Sequence, residues 1–128
     1  MNPYSTFPKI FILYLFFSTL LFSQYQNVKV NQSSGPIEPE EVTIAINPTN
    51  PLNLAAGANI DYYYYSMNGG LTWTEGQLTS TLGVWGDPCV IFDADGNLYY
   101  SHLSNPTPPS GYWIDRIVVQ KSTNGGKT

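Results

Sequence analysis

The sequence predicts an all-β protein, and three observations carry this prediction. Short apolar or alternating segments recur between clusters of Gly, Pro, Asn and Asp, as in strands joined by turns. After the first two dozen residues, no segment shows the 3.6-residue apolar period of an amphipathic helix. Aromatic residues make up 15% of the chain against 11% charged residues. Aromatic side chains pack well on pleated sheets, so the composition agrees with the pattern.

Residues 1–23 have the features of a secretory signal peptide. A single basic residue, Lys9, precedes apolar runs over 10–17 and 20–22, and small or polar residues follow. The runs are shorter than the roughly 20 apolar residues of a membrane span. An uncleaved N-terminal anchor is the alternative. We therefore expect a secreted or cell-surface protein, in contact with a membrane only through this segment if it stays uncleaved.

Charge and cysteine content exclude several classes of function. Five Lys and Arg stand against nine Asp and Glu, for a net charge of −4, so the chain lacks the basic patch that nucleic acid requires. The one cysteine, Cys89, lies in an apolar run and is expected to be a buried structural thiol rather than a nucleophile. Cys and His do not cluster, so we expect no metal site and no cofactor.

A polar leader over 24–40 precedes a first predicted unit of four strands over 41–82. Prolines and asparagines over 47–51 predict a turn after the first strand. Four consecutive tyrosines in the third strand would place aromatic rings on both faces of the sheet. The four strands are expected at 42–46, 54–58, 62–66 and from Trp73 onward.

A second predicted unit, over 83–128, repeats this order. Its first strand is apolar on both faces and is expected to be buried between neighbours. Asp93 to Asn97 predicts a hairpin turn in which Gly96 supplies a positive φ. A calcium loop is the alternative there, but an EF-hand needs more oxygen ligands. The strands are expected at 89–92, 98–103 and 114–122, with a Pro-rich loop at 105–111.

A turn motif recurs after the third strand of each unit. SMNGGLTW, from Ser66 to Trp73, returns 56 residues later as STNGGKT, with five of seven aligned positions identical. The Asn and Ser side chains are expected to bond backbone N–H groups inside the turn, the glycines to take positive φ, and Trp73 to pack into the sheet. The chain stops one position before the second Trp, so we expect it to be a fragment.

The motif Ser-x-Asn-x-Gly-x-Thr-Trp resembles the Asp-box of sialidases and other BNR-repeat propellers, with Asn in the usual Asp position. INPTNPLNLAAGA and GDPCVIFDADGNLYYS are also similar to that family, so the resemblance covers most of residues 41–128. It implies a β-propeller of four-stranded antiparallel blades, of which this chain supplies about one and three-quarters. It also implies that the box residues are structural. These are Ser66, Asn68, Gly70, Thr72, Trp73, Ser122, Asn124, Gly126 and Thr128.

The resemblance further implies that sugars bind at the rim opposite the boxes, on loops 57–61, 83–88 and 104–113. Asp61 and Asp87 are the candidate acid or base groups. Both have the alternative of a turn residue. Candidate sugar-contacting side chains are aromatic or imidazole groups, whose alternative is packing in the interior. They are Trp85, Tyr112, Trp113 and His102.

Two functional hypotheses follow. The first is a secreted, sialidase-like propeller that acts on or binds a carbohydrate or glycoconjugate. If it is an enzyme, it is a glycoside hydrolase of the exo-α-sialidase type. Sialidases bind the substrate carboxylate with three arginines, the first in a Phe-Arg-Ile-Pro-like strand, and this chain has only Arg116, outside such a motif. The alternative is therefore a non-catalytic propeller that serves as a scaffold or adhesion module of the cell surface.

Overall fold

The computed structural model describes residues 26–32, 39–104 and 114–128. These residues form strands and turns without a helix, which confirms the all-β prediction. None of them therefore builds a helix long and apolar enough to cross a membrane. The predicted signal peptide, the Pro-rich loop, Tyr112 and Trp113 lie outside the described residues. The strands are β1 (Thr43–Ile46), β2 (Leu54–Ala58), β3 (Tyr62–Ser66), β4 (Thr74–Gln77), β5 (Cys89–Phe92), β6 (Leu98–Ser104) and β7 (Arg116–Ser122).

The strands form two antiparallel sheets. The first sheet has the order β1-β2-β3-β4 and the second the order β5-β6-β7. In the first sheet, Leu54 pairs with Ser66 at the start of the repeated turn. In the second, Leu98 pairs with Ser122 at the same point. The two sheets are thus equivalent units in the same register relative to the repeat.

Strand boundaries follow the predicted pattern closely. β2, β3 and β5 have the predicted bounds, since turn residues flank each of them. β4 begins at Thr74 rather than Trp73, because the Trp73 indole Nε1 donates to the Gly70 carbonyl at 3.0 Å and holds that residue in the turn. β7 begins at Arg116 rather than Ile114. The limits of β1 and β6 differ from the prediction by one residue each.

The main core lies between the two sheets. Ala55 of the first sheet packs with Val90, Phe92, Leu98 and Tyr100 of the second, and Tyr63 lies against this cluster. Burying an apolar side chain of this size stabilises the fold by about 1.5–3 kcal/mol. The contact between the sheets therefore stabilises the fold through several such side chains.

Tyr100 fits against the bare backbone of Gly57. A Cβ at residue 57 would lie 2.7 Å from the Tyr100 hydroxyl oxygen and 2.7 Å from its Cε2. The Tyr100 hydroxyl donates to the Tyr62 carbonyl at 3.0 Å. Burial raises the pKa of Tyr100 well above its usual value, and the charge of Asp61 makes the next largest contribution. Close packing thus joins β6 to the end of β2 and the start of β3.

A second, smaller cluster lies on the other face of the first sheet. Ala56, Ala58 and Tyr64 are buried there, and Val30 of the leader packs against them. Burial raises the pKa of Tyr64 to about 12, with a further contribution from the charge of Glu75. Since Tyr63 faces the main core and Tyr64 this cluster, β3 carries aromatic rings on both faces, as predicted.

Two expectations for β5 are wrong. Cys89 is exposed rather than buried, and Ile91 is exposed as well. Val90 and Phe92 are buried, so β5 alternates between a covered and an open face. The physical reason is that β5 packs on the first sheet through one face only. An unbroken apolar run does not by itself distinguish one covered face from two.

Candidate functional site

The first repeated turn is held by side chain to backbone hydrogen bonds. The Ser66 hydroxyl accepts the backbone N–H of Gly70 at 2.9 Å and donates to Asn68 Oδ1 at 2.9 Å. Asn68 Oδ1 also accepts the N–H of Thr72 at 2.9 Å, and its Nδ2 donates to the Thr72 hydroxyl at 2.8 Å. Gly70 has φ 86°, which only glycine adopts without strain.

The second turn has the same set of bonds. The Ser122 hydroxyl accepts the N–H of Gly126 at 3.0 Å and donates to Asn124 Oδ1 at 2.8 Å. Asn124 Oδ1 accepts the N–H of Thr128 at 3.1 Å, and its Nδ2 donates to the Thr128 hydroxyl at 2.7 Å. Gly126 has φ 89°. These side chains bond one another and their own backbone, which is a structural use of their polar groups.

Asn53 joins the two turns. Its Nδ2 donates to the carbonyl of Ser66 at 3.1 Å and to that of Gly125 at 3.0 Å. Its Oδ1 accepts Asn47 Nδ2 at 3.0 Å, and the residue is only 1% exposed. This role of Asn53 was not predicted from the sequence. The available signal was an asparagine directly before an apolar strand, where a buried amide requires partners.

Loops 57–61 and 83–88 meet at the opposite end of the sheets. Strand β2 separates them from the turns, because Asn53 precedes it and Asn59 follows it. Asn59 Oδ1 accepts the N–H of Asp87 at 2.9 Å, and its Nδ2 donates to the carboxylate of Glu41. A Cβ at Gly86 would lie 2.0 Å from Asn59 Oδ1, so only glycine fits there. Asn59 thus joins the two loops.

Three sequence-predicted candidates lie on these joined loops. Trp85 is 42% exposed, and its backbone N–H donates to the Leu103 carbonyl at 2.9 Å. Asp87 is exposed and has φ 47°, a left-handed conformation that Asp tolerates better than most residues. Asp61 is half-buried, and its carbonyl accepts the N–H of Leu78 at 2.7 Å. The arrangement presents an indole and a carboxylate to solvent at one end of the protein.

His102 lies in the interior instead. It is buried on β6, with Nδ1 2.7 Å from the carbonyl of Leu103. Since a carbonyl only accepts, Nδ1 carries the proton, and Nε2 accepts from the Gln120 amide at 3.1 Å. That amide also donates to the Thr79 carbonyl at 3.3 Å. Both ring nitrogens are therefore engaged within the protein, and neither is free to contact a ligand.

The 93–97 turn satisfies its own carboxylate. Asp93 accepts the backbone N–H groups of Asp95 and Asn97 at 3.0 and 2.8 Å. It also accepts the Asn97 amide at 2.9 Å and the Tyr99 hydroxyl at 3.1 Å. These bonds lower the pKa of Asp93, and the bond from the Asn97 side chain makes the largest contribution. With Gly96 at φ 82°, the segment is a hairpin turn, as predicted.

Metal-binding and anion-binding groups are sparse. No group of three or more His, Cys, Asp or Glu side chains within 26–32, 39–104 and 114–128 is placed to hold a metal ion. Arg116, the single arginine of the chain, pairs with the adjacent Asp115 at the surface. Comparison of the chain with protein-family models, with curated proteins and with solved structures found no match.

Proposed function

We propose that the two sheets are successive blades of an exported Asp-box β-propeller. The support is the equivalence of the sheets. Both place the repeated turn at the same register position, after Ser66 and Ser122. Both turns use the same hydrogen bonds, and Asn53 contacts both. A repeated unit whose faces are buried by neighbouring units is the organisation of propellers and related repeat architectures.

We further propose that the protein binds a glycan at the end formed by loops 57–61 and 83–88. The observation that carries this proposal is the junction at Asn59, which groups Trp85 with Asp61 and Asp87 away from the structural turns. An exposed indole offers an apolar surface to the C–H face of a sugar ring. Carboxylates accept hydrogen bonds from sugar hydroxyls. This pairing of groups suits a neutral or basic sugar better than an acidic one.

A specific observation favours the non-catalytic form of this function. Recognition of the sialic acid carboxylate relies on bidentate arginine contacts. Arg116 is the single arginine of the chain and pairs with Asp115. We therefore propose a glycan-binding scaffold or adhesion module as the main function. Hydrolysis by Asp61 and Asp87 is the second candidate.

The test is a titration of the full-length secreted protein with glycans, in which tryptophan fluorescence reports binding. Saturable binding is expected, with Trp85→Ala weakening it by at least about tenfold, or about 1.4 kcal/mol. Leu71→Ala is the matched control, because this exposed residue lies in the first repeated turn. Equal binding by the wild type and Trp85→Ala would contradict the proposed site.

Turnover is measured separately on a panel of fluorogenic glycosides. The non-catalytic proposal expects no activity above that of a heat-denatured sample. If a glycoside is hydrolysed and Asp61→Asn or Asp87→Asn lowers the rate by about two orders of magnitude or more, the enzyme hypothesis replaces it.

A further inference from the structure

Both repeated turns contain Asn-Gly, a dipeptide in which an asparagine side chain readily loses its amide group. Glycine has no side chain to obstruct its own backbone nitrogen, which can therefore attack the preceding side-chain amide. The two sites are Asn68-Gly69 in the first turn and Asn124-Gly125 in the second. Since both sites continue with a further glycine, the fold decides how their reactivities differ.

Hydrogen-bond donors surround the carbonyl oxygen of the Asn124 side chain. Asn124 Oδ1 accepts the Ser122 hydroxyl at 2.8 Å. It also accepts the backbone N–H groups of Lys127 and Thr128, each at 3.1 Å. Attack on the amide carbon places negative charge on this oxygen, and donors at such distances stabilise that charge. Asn68 Oδ1 accepts two such bonds, so both turns activate the side-chain amide.

The two turns differ at the backbone nitrogen that would attack. In the first turn, the Gly69 N–H donates to the Leu52 carbonyl at 2.8 Å. Gly96 is the equivalent of Leu52, because each lies two residues before the second strand of its sheet. The Gly96 carbonyl instead accepts Asn47 Nδ2 at 3.4 Å. None of the described residues accepts the N–H of Gly125, although Gly125 is buried.

We propose that Asn124-Gly125 is a site of autocatalytic deamidation and that Asn68-Gly69 is protected from this reaction. In the first step, the Gly125 nitrogen loses its proton and bonds to Cγ of Asn124. The bond from Cγ to Nδ2 breaks, and Nδ2 leaves with that proton as ammonia. In the second step, water opens the cyclic imide at either carbonyl and leaves aspartate or isoaspartate at position 124. The inference is independent of the proposed propeller and of glycan binding.

The unpaired N–H of Gly125 favours formation of the ring. A buried backbone donor without an acceptor destabilises the fold. The imide nitrogen carries no hydrogen, so ring formation removes this unsatisfied donor. At Gly69, the same reaction first has to break the bond to the Leu52 carbonyl. Asn124 is exposed, so water reaches the imide once it has formed.

The two products are expected to have different effects on the second turn. In aspartate, the oxygen that replaces Nδ2 can accept the Thr128 hydroxyl, and Oδ1 keeps its donors. Isoaspartate adds one carbon to the backbone at position 124, which displaces the Gly125 carbonyl from Asn53 Nδ2. Aspartate is therefore expected to preserve the link between the two turns, whereas isoaspartate is expected to break it.

The first experiment incubates the folded, full-length protein in mildly alkaline buffer and follows both sites by peptide mass spectrometry. Fragmentation by electron transfer separates aspartate from isoaspartate. Asn68 is the matched control, because it belongs to the same molecule and the same motif. Asn124 is expected to react about fivefold faster or more, the rate equivalent of one net hydrogen bond. Equal rates, or a faster reaction at Asn68, would overturn the proposal.

The second experiment repeats the measurement in concentrated urea, where the fold is absent. Both sites are then expected to react at similar rates. If Asn124 exceeds Asn68 by the same factor in urea as in the folded protein, the difference comes from local sequence and the proposal is wrong. Asn124→Asp supplies the reference for the aspartate product and is expected to unfold at the same urea concentration as the wild type. The isoaspartate product is expected to unfold at a lower concentration.

Discussion

Asn53 donates a hydrogen bond to the carbonyl of Gly125, 72 residues later in the chain, at 3.0 Å. The same Nδ2 donates to the carbonyl of Ser66. One buried amide thus fixes the position of the second repeated turn relative to the first. Because Ser66 ends β3 and Gly125 lies in the second repeated turn, the amide joins a strand of the first sheet to the turn that follows the second.

Asn53→Ala is expected to destabilise the protein by about 2–3 kcal/mol. The substitution leaves the carbonyls of Ser66 and Gly125 and the amide of Asn47 without this partner, and each buried polar group left unsatisfied costs about 1–3 kcal/mol. Urea denaturation, monitored by tryptophan fluorescence, measures the change in the free energy of unfolding. Asn50→Ala is the control, since the Asn50 bond to the Leu52 N–H is at the surface. Equal effects of the two substitutions would argue against the role of Asn53.

Gly57→Ala is expected to destabilise by about 1–3 kcal/mol, through overpacking against Tyr100. The ring has little freedom to move, because its hydroxyl is bonded to the Tyr62 carbonyl. A double-mutant cycle isolates this contact. In a Tyr100→Ala background the clash is absent, so Gly57→Ala is expected to cost less than in the wild type. Additive effects of the two substitutions would show that an alanine at position 57 does not clash with the Tyr100 ring.

Asp93 is expected to make the stability of the protein depend on acid pH. Its pKa is lowered from 3.8 in the folded protein, chiefly by the Asn97 side chain. A lowered folded-state pKa stabilises the fold above the unfolded value, and this contribution is lost as pH falls through the folded value. The free energy of unfolding of Asp93→Asn should therefore differ most from wild type near neutral pH, and the difference should shrink as pH falls below 3.8.

The control for this pH series is Asp95→Asn, which removes the same charge from the same turn. The Asp95 side chain is exposed, whereas Asp93 accepts four hydrogen bonds. Urea unfolding at several pH values compares the two variants. If Asp95→Asn changes the pH dependence of the free energy of unfolding as much as Asp93→Asn does, the effect comes from net charge instead.

Local features of the fold could be predicted from the sequence, whereas contacts between distant segments could not. Gly96 and the residues around it specify a turn through their own side chains and φ preferences, so the hairpin was predictable. The exposure of Cys89 depends on whether anything covers the second face of β5, which an apolar run does not encode. The contact of Asn59 with Asp87 depends on how two sheets pack. No periodicity marks such a contact in advance.

In a polypeptide that consists of residues 1–128, a tryptophan added after Thr128 is expected to stabilise the second sheet. In the first sheet, the Trp73 indole donates to the Gly70 carbonyl and packs against the cluster of Ala56 and Tyr64. The equivalent place in the second sheet is a cavity of about 190 Å³ between the two sheets. The residues that line it correspond, by strand register or by position in the repeat, to residues of the first sheet and of the first repeated turn. They include Leu98, Tyr100, Gln120, Gly126 and Thr128.

Filling this cavity with an indole should raise the free energy of unfolding by about 1.5–3 kcal/mol, the value for burying a large apolar side chain. Added serine is the matched control, because it extends the chain by one residue without filling the cavity. Thermal and urea unfolding compare the two extended chains. Equal stability would mean that the indole stays in solvent and that the two turns, although bonded alike, do not hold their following residue in the same way.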